Sequence, residues 1–247
     1  MLIYEPAGRA REFASLACNI YRGCGHGCVY CYAPSATRRD RSDFNIGKER
    51  PGFIKSLESE ASQWGGAKDQ VLLSFTCDPF QPLDATKHIA CQAIQVLHRH
   101  GFPVAVLTKG GSRALEALPL FGPQDAFAST LTFTNLADSL KWEPYAATPR
   151  DRIATLIAFH DAGIPTWASL EPCIDPEQSL ELIRLTHKFV SLYKVGRLNY
   201  HPLGATTDWA AYTAAAVHLV TDLGRDYIVK DDLAHFVPRG FPQTNVK

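Results

Sequence analysis

The chain has 247 residues, 46% of them apolar, which is enough for one domain with a sizeable core. Its 25 basic and 25 acidic residues balance, which weighs against a broad electrostatic surface for duplex nucleic acid and leaves only a local patch open. The apolar stretches end well before the roughly 20 residues of a membrane span, and seven cysteines in a chain of this length do not indicate a disulfide framework, so we expect a cytoplasmic protein that does not cross a membrane.

Short β-rich runs alternate with longer segments of helical periodicity, which is typical of a parallel sheet with crossover helices. The predicted strands are residues 13–20, 71–75, 103–108, 126–133, 165–170 and 192–197, with a seventh at 227–229. The predicted helices are residues 51–64, 84–100, 112–120, 149–162, 176–189 and 208–223. Gly101 and Gly163 each follow a predicted helix and mark its end. We therefore predict an α/β fold in a single domain, residues 1–247, with a core of about residues 13–230.

The segment after the first predicted strand carries the most informative motif of the chain. Residues 22–32 read Arg-Gly-Cys-Gly-His-Gly-Cys-Val-Tyr-Cys-Tyr, with Cys24, Cys28 and Cys31 at the spacing C-x3-C-x2-C. Three thiolates on a [4Fe–4S] cluster leave one iron free for a cofactor or substrate, and the interleaved glycines let the loop approach an inorganic core closely. A four-cysteine zinc site that adds Cys18 is the alternative, although such sites usually pair two C-x2-C units.

This motif, with Tyr30 just before the last cysteine and Asn-Ile-Tyr-Arg-Gly-Cys at residues 19–24, resembles the radical S-adenosylmethionine enzymes. The surrounding string resembles the branch related to spore photoproduct lyase, often labelled DNA repair photolyase-like. The resemblance implies a partial (β/α)6 barrel similar to a TIM barrel, and a [4Fe–4S] cluster whose open iron binds S-adenosylmethionine. It implies reductive cleavage of that cofactor to a 5′-deoxyadenosyl radical, which abstracts hydrogen from a substrate, and an electron donor of the flavodoxin or ferredoxin type.

In barrels of this kind the chemistry lies at the carboxyl ends of the strands. The second predicted strand runs into Thr76-Cys77-Asp78-Pro-Phe-Gln-Pro, which resembles the Thr-x-Asp-Pro-aromatic-Gln-Pro string of this branch. The resemblance implies that Thr76 and Asp78 hydrogen-bond the cofactor, and a turn that only caps backbone donors is the alternative. It also makes Cys77 a candidate hydrogen donor to the product radical, whereas a lone cysteine is often a small buried apolar residue.

Further candidates follow the later strands. Lys109 comes directly after the third strand, in a Leu-Thr-Lys string that resembles the position where this branch contacts the cofactor carboxylate, and a lysine suits an anionic group there. Tyr30 and Tyr32 are candidates for packing on adenine or for shielding the cluster from water. The remaining candidate cofactor ligands are Ser129, Thr130 and Glu171, and the candidate substrate contacts are Arg197, Asn199 and His201.

These observations support the hypothesis of a radical S-adenosylmethionine enzyme whose substrate the sequence does not identify. A nucleic-acid lesion is one candidate, and the neutral net charge does not support it. The alternatives are a radical enzyme that acts on a peptide or a small metabolite, and a non-catalytic iron–sulfur or zinc binding module. His26 lies between the cysteines but is not expected as a ligand, because it would occupy the iron that the cofactor needs.

Overall fold

Parallel strand pairing organises the chain. The computed structural model describes residues 1–65 and 69–246, and the strands of these two ranges form one sheet of eight strands and one of two. The strands are β1 (Ile3–Tyr4), β2 (Leu16–Cys18), β3 (Tyr21–Arg22), β4 (Lys48–Glu49), β5 (Val71–Leu73), β6 (Val104–Thr108), β7 (Ala126–Thr130), β8 (Thr166–Cys173), β9 (Leu192–Arg197) and β10 (Asp226–Val229).

The large sheet has the order β1-β2-β5-β6-β7-β8-β9-β10, and all neighbours from β2 to β10 are parallel. The seven predicted strands are these parallel strands, which confirms the predicted α/β fold. Strand β1 was not predicted and pairs antiparallel with β2 at the edge, while β3 and β4 form a separate antiparallel ribbon. These three strands have two residues each, which is too short to show an alternating pattern in the sequence.

Helices connect the parallel strands. The α-helices are α1 (Ala33–Ala36), α2 (Arg41–Phe44), α3 (Phe53–Ala61), α4 (Asp84–Lys87), α5 (Ile89–Arg99), α6 (Leu136–Trp142), α7 (Pro149–Asp161), α8 (Pro176–Thr186) and α9 (Trp209–Asp222). The 3₁₀ segments are Gly8–Glu12, Gly111–Leu120, Pro202–Ala205 and Ala234–Phe236.

Two predicted helices differ from the structure, and both have a local cause. The predicted helix 84–100 is divided into α4 and α5 by His88, whose φ of +52° interrupts the helical backbone. The predicted helix 112–120 is a 3₁₀ segment with Pro119 inside it, and proline cannot donate the hydrogen bond that an α-helix requires. Helices α1, α2 and α6, of four to seven residues, were not predicted.

The two faces of the large sheet differ in the size of their side chains. The main apolar core packs the helices against one face. The other face carries the smaller cluster Ala17, Leu72, Ala105, Ala128 and Trp167. Because successive residues of a strand point to opposite faces, one residue from each of five neighbouring strands forms this layer. Three of the five residues are alanines, and the face that carries this cluster is the inner face of the sheet.

The segment before β2 connects distant parts of the sheet. Glu12 lies 3.5 Å from the ammonium of Lys230, and its carboxylate accepts a hydrogen bond from the backbone amide of Asp231 at 2.9 Å. The ammonium of Lys194 on β9 donates to the carbonyl of Phe13 at 2.8 Å. These contacts join the β1–β2 end of the sheet to the β9–β10 end. Within the described ranges, no helix combines the length and apolar character needed to cross a bilayer.

Candidate functional site

A cavity of about 540 Å³ opens at the carboxyl ends of the parallel strands. Cys24, Cys28 and Cys31 line it together, on the loop that follows β3. Residues that follow β5 and β6, and residues of β7, β8 and β9, also line it. The volume lies within the range of about 300–1,000 Å³ that is usual for sites of small molecules and cofactors. The three cysteines therefore share one cavity of cofactor size.

The cysteine loop has a backbone shape that its glycines permit. Gly23 has a φ of +75°, and a Cβ at this position would lie 2.4 Å from the carbonyl oxygen of Phe44. The amide of Cys24 donates to the same carbonyl at 2.9 Å, and the amide of Gly25 donates to the side chain of Gln81 at 2.7 Å. A side chain at residue 23 would displace this loop, so the cysteines depend on glycine there.

The three cysteines that line the cavity supply the thiolates that an iron–sulfur cluster takes as ligands. No three His, Cys, Asp or Glu side chains in residues 1–65 and 69–246 stand close enough together to hold one metal ion. A cubane separates its thiolates more widely, since each binds a different iron. Burial raises the pKa of Cys28 to about 12. Cys18 does not line the cavity and packs in the core on the helix side of the sheet.

Asp78 ties two neighbouring strand ends together. Its carboxylate accepts hydrogen bonds from the backbone amide of Phe80 at 2.9 Å, from the hydroxyl of Thr108 at 2.6 Å and from the backbone amide of Lys109 at 2.7 Å. These contacts hold the turn after β5 against the end of β6. Asp78 lines the cavity, but its two oxygens are occupied mainly by these protein donors. A direct contact of Asp78 with a cofactor stays a prediction.

His26 is buried between the cysteines and is electrically neutral. Burial lowers its pKa to about 4. Its Nε2 lies 2.8 Å from a guanidinium nitrogen of Arg113, and because arginine can only donate, Nε2 is the acceptor. The proton is therefore on Nδ1, which lies 3.4 Å from the carboxylate of Asp78. Both ring nitrogens thus have protein partners, consistent with the expectation that His26 is not a cluster ligand.

Lys109 and Tyr30 both line the cavity and lie near each other. The Lys109 ammonium lies 5.6 Å from the centre of the Tyr30 ring, a cation–π distance. Burial lowers the pKa of Lys109, but the charges of Cys28 and Glu143 more than offset this, so its pKa is raised and it is charged. The Tyr30 hydroxyl donates to the buried carboxylate of Glu143. Sequence reasoning missed Glu143, because it is 113 residues from Tyr30 and belongs to no motif.

The structure brings most of the predicted site residues to the cavity wall. The predicted cofactor ligands and hydrogen donor that line it are Tyr30, Tyr32, Thr76, Cys77, Asp78, Lys109, Thr130 and Glu171. Ser129 does not line it, since its hydroxyl donates to the carbonyl of Thr108 at 3.0 Å. The alternation of side chains along β7 explains the difference, because Thr130 is the next residue and faces the cavity.

Cys77 and the candidate substrate contacts have different surroundings. Cys77 lines the cavity, and its sulfur accepts a hydrogen bond from the amide of Tyr21 at 3.4 Å. Burial raises the pKa of Cys77 to about 11, so it carries its proton at neutral pH. Arg197 and Asn199 also line the cavity, whereas His201 does not and packs against Trp142 with the ring centres 5.0 Å apart.

Sequence reasoning also missed Ser169, which lines the cavity from β8. A signal for it was present in the sequence. Ser169 lies two residues before Glu171, and residues two apart on a strand share a face. Because functional residues are expected at the carboxyl ends of the strands, the residue two positions before Glu171 on the same face, Ser169, is a candidate as well.

Comparison with known proteins places the chain among distant relatives. No family model matches it. It is 25% identical over 220 residues to an uncharacterized protein of Mycobacterium tuberculosis, an alignment that covers 81% of this chain and 63% of that protein. It is 24% identical over 198 residues to an uncharacterized protein of Methanocaldococcus jannaschii, covering 75% and 71%. The chain thus spans less than two thirds of the mycobacterial relative.

Solved structures are similar in fold at low sequence identity. A spore photoproduct lyase mutant with bound AdoMet and dinucleoside spore photoproduct matches with a TM-score of 0.62 and 13% identity, over 78% of this chain and 59% of that one. SuiB of Streptococcus suis bound to S-adenosylmethionine matches with a TM-score of 0.60 and 11% identity, over 86% and 46%. The chain therefore has the fold of these structures, the partial TIM-like barrel that the sequence predicted.

Proposed function

We propose that the protein is a radical S-adenosylmethionine enzyme that carries a [4Fe–4S] cluster on Cys24, Cys28 and Cys31. When bound, the cluster and cofactor supply reductive cleavage to a 5′-deoxyadenosyl radical, which abstracts hydrogen from the substrate. The observation that carries the proposal is that the three cysteines share one cavity of about 540 Å³ at the strand ends. Further support comes from the fold, because two solved structures that share it hold S-adenosylmethionine.

The residues around the cavity have distinct proposed roles. Lys109 holds the cofactor carboxylate, because Lys109 directly follows β6, lines the cavity and carries a positive charge. Thr76, Thr130 and Glu171 offer hydroxyl and carboxylate groups to the ribose and the amino group. Asp78 contributes mainly by fixing the backbone of Lys109. The protein thus supplies orientation, while the bound groups supply the difficult chemistry.

Tyr32 and Cys77 have two further proposed roles. Tyr32 is about half exposed at the cavity mouth, where its ring covers the cluster side or the adenine. Cys77 keeps a protonated sulfur in the cavity wall and can return a hydrogen atom to a product radical. The proposed active unit is one domain, residues 1–247, and a flavodoxin or ferredoxin is the proposed electron donor.

A nucleic-acid lesion is the first substrate class to test, because the similar lyase structure holds a dinucleoside spore photoproduct. Such a substrate would have to leave its base stack to enter the cavity, at a cost of a few kcal/mol per step. Peptides and small metabolites are the second class. The balance of 25 basic and 25 acidic residues gives no net attraction to long nucleic acids, so short oligonucleotides are the suitable probes.

The decisive experiment is anaerobic purification, reconstitution with iron and sulfide, and addition of S-adenosylmethionine and dithionite. We expect 5′-deoxyadenosine, detected by mass spectrometry, from the wild type and from Cys91→Ala, whose cysteine lies on α5 outside the cavity. Each of Cys24→Ala, Cys28→Ala and Cys31→Ala should abolish it. Retained activity in any of these three contradicts the ligand assignment, and an intact cluster without 5′-deoxyadenosine favours the non-catalytic binding module.

A further inference from the structure

A buried carboxylate lies directly behind the cysteine loop. Glu143 follows α6 and is only 1% exposed. Its carboxylate accepts hydrogen bonds from the hydroxyl of Tyr30 and, at 2.9 Å, from the hydroxyl of Thr132. Burial raises its pKa, but Arg152 and Lys109 outweigh this and hold the pKa below its ordinary value. Glu143 therefore carries a negative charge inside the protein.

Arg152 on α7 is the partner of this carboxylate. It is also 1% exposed, and one guanidinium nitrogen donates to Glu143. The other guanidinium nitrogens donate to the carbonyl of Ala147 at 2.8 Å and to the carbonyl of Thr130 at 3.0 Å. All of these acceptors belong to the protein. Arg152 thus links α7, the segment after α6 and the end of β7.

The segment from Trp142 to Ala147 joins this pair to the site. The amide of Val29, inside the cysteine motif, donates to the carbonyl of Trp142 at 2.9 Å. The amide of Tyr145 donates to the carbonyl of His26 at 3.2 Å, and the amide of Ala147 donates to the carbonyl of Lys109 at 2.9 Å. The backbone of this segment therefore contacts both the cysteine loop and the strand end that carries Lys109.

We propose that Glu143 and Arg152 act as one positioning and electrostatic unit, which orients Tyr30 and Lys109 and sets the reduction potential of the cluster. This inference rests on the proposed function, because it concerns the cluster that the cysteines would hold. Neither residue lines the cavity, and both act through Tyr30, Lys109 and the cysteine loop. Neither residue belongs to the sequence motifs that identified the site.

The sign of the effect follows from the charges. Glu143 contributes one negative charge, and Arg152 and Lys109 contribute two positive charges near Cys28. Charges buried in the protein are screened weakly by solvent and salt. Reduction adds a negative charge to a cluster, so removing the carboxylate favours the reduced form, and removing the guanidinium disfavours it. Removing both leaves the net charge unchanged.

The test is a redox titration, followed by electron paramagnetic resonance, of reconstituted wild type and variants without S-adenosylmethionine. We expect a higher reduction potential in Glu143→Gln, a lower one in Arg152→Gln and a value close to wild type in the double variant. The control is Asp125→Asn, whose buried carboxylate precedes β7, lies outside the cavity lining and accepts a hydrogen bond from the amide of Val104 on β6. It should leave the potential unchanged. Unchanged potentials in both single variants, or shifts of the same sign, overturn the inference.

The affinity for S-adenosylmethionine tests whether Glu143 orients Tyr30. Tyr30→Phe keeps every charge and removes only the hydroxyl that holds the ring on Glu143, so we expect weaker S-adenosylmethionine binding with a full cluster. Tyr193→Phe, which removes a buried hydroxyl bonded to Thr186 on the helix side of β9, is the matched control. Equal cofactor affinity in the two variants contradicts the positioning role.

Two results separate this inference from the proposed function. A wild-type protein that takes up no cluster contradicts the proposed function itself. A wild type with a normal cluster, whose potential is insensitive to both residues, contradicts only the inference. Arg152 donates to Ala147, Thr130 and Glu143, so Arg152→Gln, which also leaves a buried carboxylate without its ion-pair partner, is the variant most prone to unfold. In that case Glu143→Gln, with its expected higher potential, and the double variant, with a potential close to wild type, decide the question.

Discussion

Lys109 is held in place from three directions. Its backbone amide donates to Asp78, its carbonyl accepts from Ala147, and its ammonium lies over the ring of Tyr30. Hydrogen bonds to two residues thus fix the backbone of Lys109. Only the side chain remains to meet a ligand in the cavity, where its positive charge suits a carboxylate.

We expect Lys109→Met to weaken S-adenosylmethionine binding by about 10-fold to 100-fold, because a hydrogen bond to a charged group contributes about 1.5–3 kcal/mol. The cluster should remain, since Lys109 is not one of its ligands. Equilibrium binding to reconstituted protein measures the affinity, and the visible absorbance of the cluster checks its content. Lys141→Met, at an exposed position on α6, is the control. An unchanged affinity removes Lys109 from the cofactor contacts.

At the scale of single elements, strand β9 carries a buried lysine on the inner face of the sheet. Lys194 is 6% exposed, and its ammonium lies 4.3 Å from the centre of the Trp167 ring. Lys194 and Lys230 both lie over the ring of Phe13, at 5.1 and 3.7 Å. Burial, and next the charge of Lys230, lower the pKa of Lys194 to about 7. The ammonium groups of Lys194 and Lys230 thus lie near the same aromatic ring, and each disfavours the positive charge of the other.

The lowered pKa predicts a pH-dependent effect of Lys194→Met. Between pH 7 and about 10.4 the unfolded chain binds the proton that the folded chain releases, so this group makes wild-type stability rise with pH. We expect the variant to be more stable than wild type near pH 7, with the difference shrinking toward pH 10. Urea unfolding at several pH values measures it. Lys188→Met, at an exposed position, should show no such trend, and a pH-independent difference for Lys194→Met would contradict the assignment.

The sequence predicted the long elements well and the short connections poorly. The apolar runs of the parallel strands and the glycines that end two helices carry strong local signals. Helix α6 spans seven residues, and the segment behind it has no repeating pattern. Because Glu143 lies there, the residue that holds Tyr30 was missed together with the element. The interruption at His88 was missed for a similar reason, since histidine has no general preference for positive φ strong enough to predict it.

At the scale of the whole molecule, the parallel sheet determines where the chemistry lies. Predicted strand ends, together with the strings that resemble a known branch, point to Thr76, Lys109, Thr130 and Glu171, which lie on or after four different strands and line one cavity. The strand-end part of this argument uses only strand boundaries and the common edge of parallel strands. Contacts between distant segments, such as Tyr30 with Glu143, depend on packing geometry. No spacing in the sequence encodes them.

The cavity therefore exists only in the folded chain, and a ligand that binds there must stabilise the fold. At 100 times its dissociation constant, S-adenosylmethionine adds about 2.7 kcal/mol to the free energy of unfolding, and this corresponds to a rise of about 5–10 °C in melting temperature for a chain of this size. Differential scanning calorimetry of the reconstituted protein under anaerobic conditions measures the rise. In a variant with Cys24, Cys28 and Cys31 replaced by alanine the rise should disappear, because the cofactor loses the open iron. An equal rise in that variant would mean that S-adenosylmethionine binds independently of the cluster.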